Sequence, residues 1–65
     1  MRPTVSLAVE VVKAETYLAI LCLFESGDEL WIPKSQIHDD SEVYAKDHSG
    51  ELVIPEWLAE EKGLI

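Results

Sequence analysis

The larger apolar residues of this chain fall into short runs that turn residues interrupt, and this pattern limits the fold more than any other feature of the sequence. Over 4–12 they recur at every second position from Val5 to Val11. Such alternation is typical of a strand with one buried face. The run Tyr17–Phe24 has the length of a buried strand and is apolar on both faces. The pattern therefore predicts a β-rich fold.

Three further strands are predicted between turn residues. They are Glu29–Ile32, Glu42–Lys46 and Glu51–Ile54. Gly27 can adopt the positive φ of a tight hairpin turn, and Pro33, which has no N–H to donate, should end the third strand. Between the third and fourth strands there is room for one helical turn, with Ile37 directed inward.

The last segment predicts a short helix that begins at Pro55. Proline suits the first helical position, and the charge of Glu56 in the first turn complements the helix dipole. Gly63 lies where a left-handed residue ends a helix, which lets Leu64 fold back on the helix. Two turns are too few to persist alone. The helix should therefore dock on the sheet or on a partner.

The length of the chain, 65 residues, predicts one domain over 1–65. We expect a mostly β fold in which five antiparallel strands follow one another as a meander. The sheet would be bent and SH3-like, or would form a small open barrel, with the short helix at the C-terminus. The strand over 4–12 is expected at an edge, where pairing with a second copy would give a homodimer and enlarge the small core.

The charge of the chain is strongly negative. Thirteen acidic residues against five basic ones give a net charge of −8. Such a surface repels phosphate backbones, so nucleic acid is a less favoured partner than protein. Two interpretations of the acidity remain: it keeps a small protein soluble, or it steers the protein toward a basic surface on a partner.

The sequence contains no pattern that points to catalysis or to metal binding. His38 and His48 fall in predicted polar turns beside aspartates, where solvated histidines are more common than catalytic ones. No zinc or calcium ligand spacing occurs. Cys22 lies in the middle of the most apolar run and is expected to be an inert, buried thiol. We therefore expect no enzyme activity, no metal and no cofactor.

The location of the protein is predicted from what the sequence lacks. A single cysteine gives no disulfide framework, and no apolar run approaches the length of a membrane span. The first residues do not read as a signal peptide. These features predict a cytoplasmic protein that does not enter a membrane.

Two tryptophans are the main candidates for apolar contacts. Trp31 and Trp57 are either core anchors or exposed anchors for a partner. An alternative function is a small barrel that stacks single-stranded nucleic acid on its aromatic side chains, with Trp31, Lys34 and Tyr44 on one face. The cations for such a face are few. They are Arg2, Lys13, Lys34, Lys46 and Lys62.

A basic protein partner would meet the acidic residues of the central bend and of the helix, with aromatic side chains as apolar contacts. The predicted protein-binding residues are Trp31, Asp39, Asp40, Glu42, Tyr44, Glu56, Trp57, Glu60 and Glu61. A third possibility is a structural accessory protein that stabilises a complex or assembles with itself.

Two segments of the chain are distinctive: W-I-P-K-S-Q-I over 31–37 and I-P-E-W-L-A-E-E-K-G-L over 54–64. Both resemble segments of a group of short uncharacterised proteins from bacteriophages, prophages and plasmids. The resemblance covers most of the chain from Glu15 onward, and no site residues carry over from it. It implies a context, since short acidic phage proteins often block a bacterial restriction or CRISPR enzyme, sometimes by presenting DNA-like negative charge.

Overall fold

The computed structural model describes residues 3–65, which form one open antiparallel sheet and one short helix. The elements are β1 (Thr4–Glu15), β2 (Ala19–Phe24), β3 (Glu29–Pro33), a 3-10 turn (Lys34–Gln36), β4 (Gly50–Pro55) and α1 (Glu56–Glu61). The strand order is β3-β2-β1-β4. The mostly β class with a C-terminal helix is thus confirmed, whereas the prediction of five strands is wrong.

The strand β1 lies inside the sheet. Its first half pairs with β4, from Thr4 opposite Pro55 to Val9 opposite Gly50. Its second half pairs with β2, as far as Glu15. The prediction that this strand forms an edge is therefore wrong. Alternation of apolar residues indicates which face is buried, but it does not indicate how many strands lie beside it.

Two irregularities in β1 change which of its residues face the core. The register against β2 shifts between Val9 and Val11, and again between Val12 and Ala14. An extra residue in one strand reverses the facing of the residues that follow, and it bends the strand. Val9 and Val12 are consequently buried, whereas Val11, predicted on the same face as Val9, is only partly buried.

The apolar run over 17–24 is a strand only from Ala19 onward. Tyr17 and Leu18 are 92% and 71% exposed in the turn between β1 and β2. The hydroxyl of Thr16 accepts hydrogen bonds from the N–H groups of Leu18 and Ala19, at 3.3 and 3.1 Å. This side-chain turn projects two apolar residues away from the core, contrary to the prediction that the strand begins at Tyr17.

Residues 42–46, predicted as a strand, form an irregular segment instead. Asp47 has a φ of 72°, and the N–H of His48 donates to the carbonyl of Ala45 at 3.2 Å, so the chain turns where a strand would continue. Val43 is nevertheless fully buried. Val43 therefore joins the core, although the backbone makes no ladder there.

The core lies on one side of the sheet, where alternate residues of the strands meet α1 and the segment between β3 and β4. Its most deeply buried side chains are Val12, Ile20, Cys22, Ile32, Val43, Leu52 and Ile54. Leu58 and Ala59 of α1 complete it. Ile37 packs against this core after a single 3-10 turn, as predicted.

The helix α1 ends as the sequence predicts. Gly63 has a φ of 74°. The N–H of Leu64 donates to the carbonyl of Ala59 at 2.8 Å, and the N–H of Gly63 to that of Glu60 at 3.1 Å. These two bonds form a Schellman motif, and Leu64 packs on the core as its hydrophobic contact. The predicted start was wrong by one residue: Pro55 is the N-cap, and the helix begins at Glu56.

Candidate protein-binding surfaces

The nine predicted binding residues lie on separate parts of the surface and do not form one site. Glu56, Trp57, Glu60 and Glu61 lie on α1, and Asp39, Asp40 and Tyr44 lie near the bend before β4. Glu42 lines a groove on the far part of the β1–β4 ladder. Trp31 lies on β3, facing away from the core.

The helix surface places an indole beside two carboxylates. Pro3, Glu56, Trp57 and Glu60 line a hollow of about 450 Å³, and none of these four described residues is basic. Trp57 is 44% exposed. Glu61 is exposed on the same helix but does not line the hollow. This is the arrangement expected of an apolar anchor with an acidic rim.

The bend surface lies next to the start of the helix. The N–H of Asp40 donates to Nδ1 of His38 at 3.1 Å, and the carboxylate of Asp40 lies 3.5 Å from the same nitrogen. Asp39 is exposed and shares a hollow with Thr4 and Pro55. Because α1 begins directly after Pro55, the bend surface and the helix surface are neighbours.

Tyr44 lies in the irregular segment between β3 and β4. Tyr44 is 61% exposed and lines a hollow of about 330 Å³ together with Lys34 and Asp39. Its ring meets that of His48 edge-on, with a centroid distance of 4.5 Å. The predicted face of Trp31, Lys34 and Tyr44 required a strand at Tyr44 that pairs with β3, and the structure has no such pair within residues 3–65. Lys34 and Tyr44 nevertheless line one hollow.

The acidic groove joins Glu42 to three carboxylates that the sequence pattern did not bring together. Glu10, Glu25, Glu42 and Glu51 line an open groove of about 620 Å³, and none of its lining residues is basic. The only signal in the sequence is Glu10, which interrupts the apolar residues of the first predicted strand. The four residues meet because the pairing of β1 with β4 brings distant parts of the chain together.

Two of the four carboxylates are held in place by hydrogen bonds. Oε1 of Glu42 accepts the N–H of Glu51 at 2.9 Å, and Oε2 of Glu51 accepts the hydroxyl of Ser6. Gly50 leaves the space for this contact, since a Cβ there would lie 2.6 Å from Oε1 of Glu42. These side chains are therefore ordered before a partner arrives, which lowers the entropic cost of binding.

Two ion pairs lie beside β3. Nζ of Lys13 lies 3.1 Å from Oε1 of Glu29, and Nζ of Lys34 lies 2.6 Å from Oε2 of Glu15. The hydrogen bond from Lys34, followed by that from the backbone N–H of Lys46, lowers the pKa of Glu15. Two of the four described lysines are thus paired near β3, and most of the acidic excess lies elsewhere.

The thiol and the two imidazoles lie in different environments. Cys22 is fully buried, and burial raises the pKa of its thiol to about 11, so the thiol is protonated and unreactive at neutral pH. His38 and His48 each accept a backbone N–H in a turn. Within residues 3–65, no group of three or more His, Cys, Asp and Glu side chains is arranged to hold a metal ion.

The fold and these surfaces together define a small acidic β-sheet protein with a C-terminal helix. Comparison of the chain with protein-family models, with curated proteins and with solved structures gave no match. In the part of the chain that the structure describes, no helix has the length and apolarity needed to cross a membrane.

Proposed function

We propose that this chain is a non-enzymatic protein-binding module that recognises a basic surface on another protein. The acidic groove carries this proposal, because four carboxylates share one open concavity and no basic side chain lines it within residues 3–65. Lys13 and Lys34 are already paired with other glutamates. The carboxylates of the groove would therefore gain most from Lys and Arg side chains that a partner supplies.

The helix and bend surfaces add an apolar anchor to this proposal. The groove lies at the Val9–Gly50 end of the β1–β4 ladder, and α1 follows the Thr4–Pro55 end. Five residues of strand span about 17 Å. A protein interface of ordinary size, about 800 Å² on each partner, is wide enough to cover both. Trp57 would then bury its exposed indole while the carboxylates on either side meet cations.

We extend the proposal to the class of partner: a nucleic-acid-handling or defence enzyme of a bacterial host, of the restriction or CRISPR type. Such enzymes hold phosphates with extended basic surfaces. A chain of 65 residues with a net charge of −8 complements a surface of that kind. The resemblance to short phage and plasmid proteins supports an inhibitor that acts inside the host cell by occupying the cations that otherwise bind nucleic acid.

An SH3-like arrangement or a small open barrel is part of this proposal. In β1 the register shifts twice, and the strand changes its neighbour from β4 to β2 along its length. Strands bend in this way where a sheet folds over itself. The 3-10 turn after β3 and the covering segment before β4 support the same arrangement.

The alternative, binding of single-stranded nucleic acid by stacking, receives less support from the structure. Trp31 is 43% exposed, but Lys13 and Lys34 beside β3 already contact carboxylates. Arg2 lies outside the described residues. Titration of tryptophan fluorescence with an oligonucleotide at low salt separates the two functions, because stacking on Trp31 would quench it. The third possibility, an accessory protein, predicts no preference for basic partners.

The test of the proposal compares three double charge reversals that change the net charge equally. Each replaces two exposed carboxylates by lysine and so takes the net charge from −8 to −4. The pairs are Glu10→Lys with Glu25→Lys in the groove, Asp39→Lys with Asp40→Lys at the bend, and Glu60→Lys with Glu61→Lys on the helix. The readout is capture of proteins from bacterial lysate, identified by mass spectrometry, at several salt concentrations.

We expect the groove variant to lose most of the captured protein and to show a flatter salt dependence than the wild type. Equal losses for all three variants would mean that only net charge matters. Unchanged capture by all three would show that the acidic surface does not bind the partner. The inhibitor part has its own test: the captured enzyme should bind nucleic acid less tightly when the wild-type chain is added, and an unaffected enzyme would refute it.

A further inference from the structure

One edge of the sheet is covered by the chain itself. Along β4, the N–H of His38 donates to the carbonyl of Val53 at 2.9 Å, and the N–H of Glu42 donates to the carbonyl of Glu51 at 2.8 Å. The hydroxyl of Ser41 both accepts the N–H of Val53 and donates to its carbonyl. The segment before β4 thus takes the hydrogen bonds that a neighbouring strand would otherwise take.

At the other edge, β3, no segment of the described chain provides such a cover. The ladder to β2 is framed by hydrogen bonds from Phe24 to the carbonyl of Asp28 and from Lys34 to that of Leu18, both 2.8 Å. In an antiparallel pair, successive residues alternate between bonding the neighbour and pointing away from it. The residues of β3 that bond β2 are therefore the even-numbered ones.

The backbone groups of Glu29, Trp31 and Pro33 consequently point outward from the edge. Within residues 3–65, no other backbone hydrogen bond reaches Glu29 or Trp31. The carbonyl of Pro33, the N-cap of the 3-10 turn, also accepts the N–H of Gln36 and keeps a second lone pair for another donor. An edge of this kind is a template for pairing with another strand. The strand over 4–12, predicted as the edge that could join two copies, lies inside the sheet, so that prediction was wrong.

We propose that β3 pairs with β3 of a second copy, antiparallel and centred on Trp31, so that two sheets become one. In this register the N–H of Trp31 in each copy donates to the carbonyl of Trp31 in the other copy. The N–H of Glu29 bonds the carbonyl of Pro33 in the second copy. Because proline has no N–H, this register uses every outward donor and leaves only the carbonyl of Glu29 without a partner.

The charges of β3 favour this register over its neighbours. The strand is acidic where it begins, at Asp28 and Glu29, and basic just beyond its end, at Lys34. Antiparallel pairing brings the acidic start of one copy to the basic end of the other. A register centred on Glu29 would place like charges opposite each other, which is unfavourable. A register centred on Pro33 would have no donor at its centre.

The side chains around this edge are the ones that a second copy would cover. Tyr17, Leu18 and Trp31 are three of the six large apolar side chains exposed within residues 3–65. Leu18 lies at the end of β3, since its carbonyl accepts the N–H of Lys34. Together the three expose on the order of 400 Å² per copy. With the backbone edge, two copies reach about 1,000 Å², the lower limit of a specific interface.

The ion pairs near β3 remove the main obstacle to self-association. Two chains of charge −8 repel each other. Glu29 and Glu15, however, are each paired with a lysine, so the joined surfaces carry little net charge. The acidic groove lies at the Val9–Gly50 end of the β1–β4 ladder, and its described lining residues do not include β3. We therefore expect a weak dimer, with a dissociation constant of about 1–100 µM that falls as salt screens the remaining repulsion.

The test is sedimentation equilibrium of the whole chain from about 1 µM to about 1 mM. Trp31→Ala is compared with Trp57→Ala, since the two indoles are almost equally exposed, at 43% and 44%. We expect Trp31→Ala to weaken the dimer at least tenfold, while Trp57→Ala leaves it unchanged. Glu29→Pro is compared with Glu29→Ala. Both lose the ion pair to Lys13, but only proline removes an outward N–H, at a strand start where it is tolerated.

A monomer at all concentrations would overturn the proposal, as would a dimer that Trp57→Ala weakens and Trp31→Ala does not. If Trp31→Ala fails to fold, the two substitutions at Glu29 decide: equal dimerisation of both would refute pairing through the edge. The groove variant Glu10→Lys with Glu25→Lys should dimerise at least as well as the wild type. Loss of partner capture with an intact dimer would thus separate this proposal from the proposed function.

Discussion

The hydroxyl of Ser41 is expected to stabilise the sheet, because it forms the hydrogen bonds to Val53 of β4 that a neighbouring strand would otherwise form. It accepts the N–H of Val53 at 2.8 Å and donates to the carbonyl of the same residue at 3.1 Å. In Ser41→Ala the carbonyl of Val53 keeps its bond from the N–H of His38. The N–H of Val53 loses its partner, so the cost of the substitution is that of one unsatisfied donor.

The magnitude follows from how deeply that donor lies. A fully buried polar group without a partner costs about 1–3 kcal/mol. Both Ser41 and Val53 are only partly buried, so we expect about 1–2 kcal/mol in the free energy of unfolding. In a domain of this size, 1 kcal/mol shifts Tm by about 4–8 °C. The variant should therefore unfold roughly 5–15 °C below the wild type.

The measurement is thermal and urea unfolding, followed by far-UV circular dichroism and by tryptophan fluorescence. Ser35→Ala is the matched control, because Ser35 is an exposed serine of the 3-10 turn. It should change stability by less than about 0.5 kcal/mol. Ser41→Thr, which keeps a hydroxyl, should recover part of the loss. Equal unfolding midpoints for Ser41→Ala and Ser35→Ala would refute the claim that this hydroxyl holds the edge.

Three further predictions concern the stability of the fold, at Glu15, Cys22 and Gly50. Because the pKa of Glu15 is lowered in the folded state, its stabilisation is present above the ordinary value of 4.5 and is lost as the pH falls through the lowered pKa. The unfolding midpoints of Glu15→Gln and the wild type should therefore differ at neutral pH and converge in acid. Burial raises the pKa of Cys22 from 9.0 to about 11, so the free energy of unfolding should fall as the pH rises through that interval. Alkylation followed by mass spectrometry should label the thiol only in denaturing urea, because the thiol is buried in the folded protein. Gly50→Ala should lower the free energy of unfolding, measured in urea, by about 1–3 kcal/mol, because φ at Gly50 is 129° and the new Cβ would meet the carboxylate of Glu42. Gly27→Ala is the control. It should cost less, because φ at Gly27 is 99° but no atom lies within 4 Å of the new Cβ.

The features that the sequence predicted correctly depend on neighbouring residues. The turn at Gly27 and the helix end at Gly63 both require a positive φ, which glycine supplies at little steric cost. Pro33 ends β3, and Ile37 returns to the core within four residues. In each case the physical cause lies within one turn of the chain, so a single sequence contains it.

The features that were predicted wrongly depend on distant parts of the chain. Whether β1 is central or at an edge depends on β4, which follows about 35 residues later and pairs with Thr4–Val9. Val12 is buried in place of Val11 because of a bulge in β1, and that bulge depends on the register with β2. Segment 42–46 has the apolar pattern of a strand, but the side chains of Ser41 and Glu42 bond β4 in place of a backbone ladder.

The candidate site shows the same division. Trp57 with Glu56 and Glu60 was predictable, because one helix turn brings these residues together. The acidic groove was not, since Glu10, Glu25, Glu42 and Glu51 come from four segments that meet only after the strands pair. Neither tryptophan is a fully buried core residue; each is a little less than half exposed.

The two proposals use different parts of one charge distribution. Lysines neutralise glutamates beside β3, where two copies would meet, and are absent from the groove, where a basic partner would bind. In the proposed dimer, β1 of one copy is separated from β1 of the other by five strand spacings, or roughly 24 Å. The dimer would therefore present two grooves at a fixed separation, with a combined charge of −16 from two chains of −8. A partner with repeated basic sites at that separation would gain avidity from both grooves without any new contact. Loss of the β3 interface would then weaken binding to such a partner while leaving each single groove unchanged.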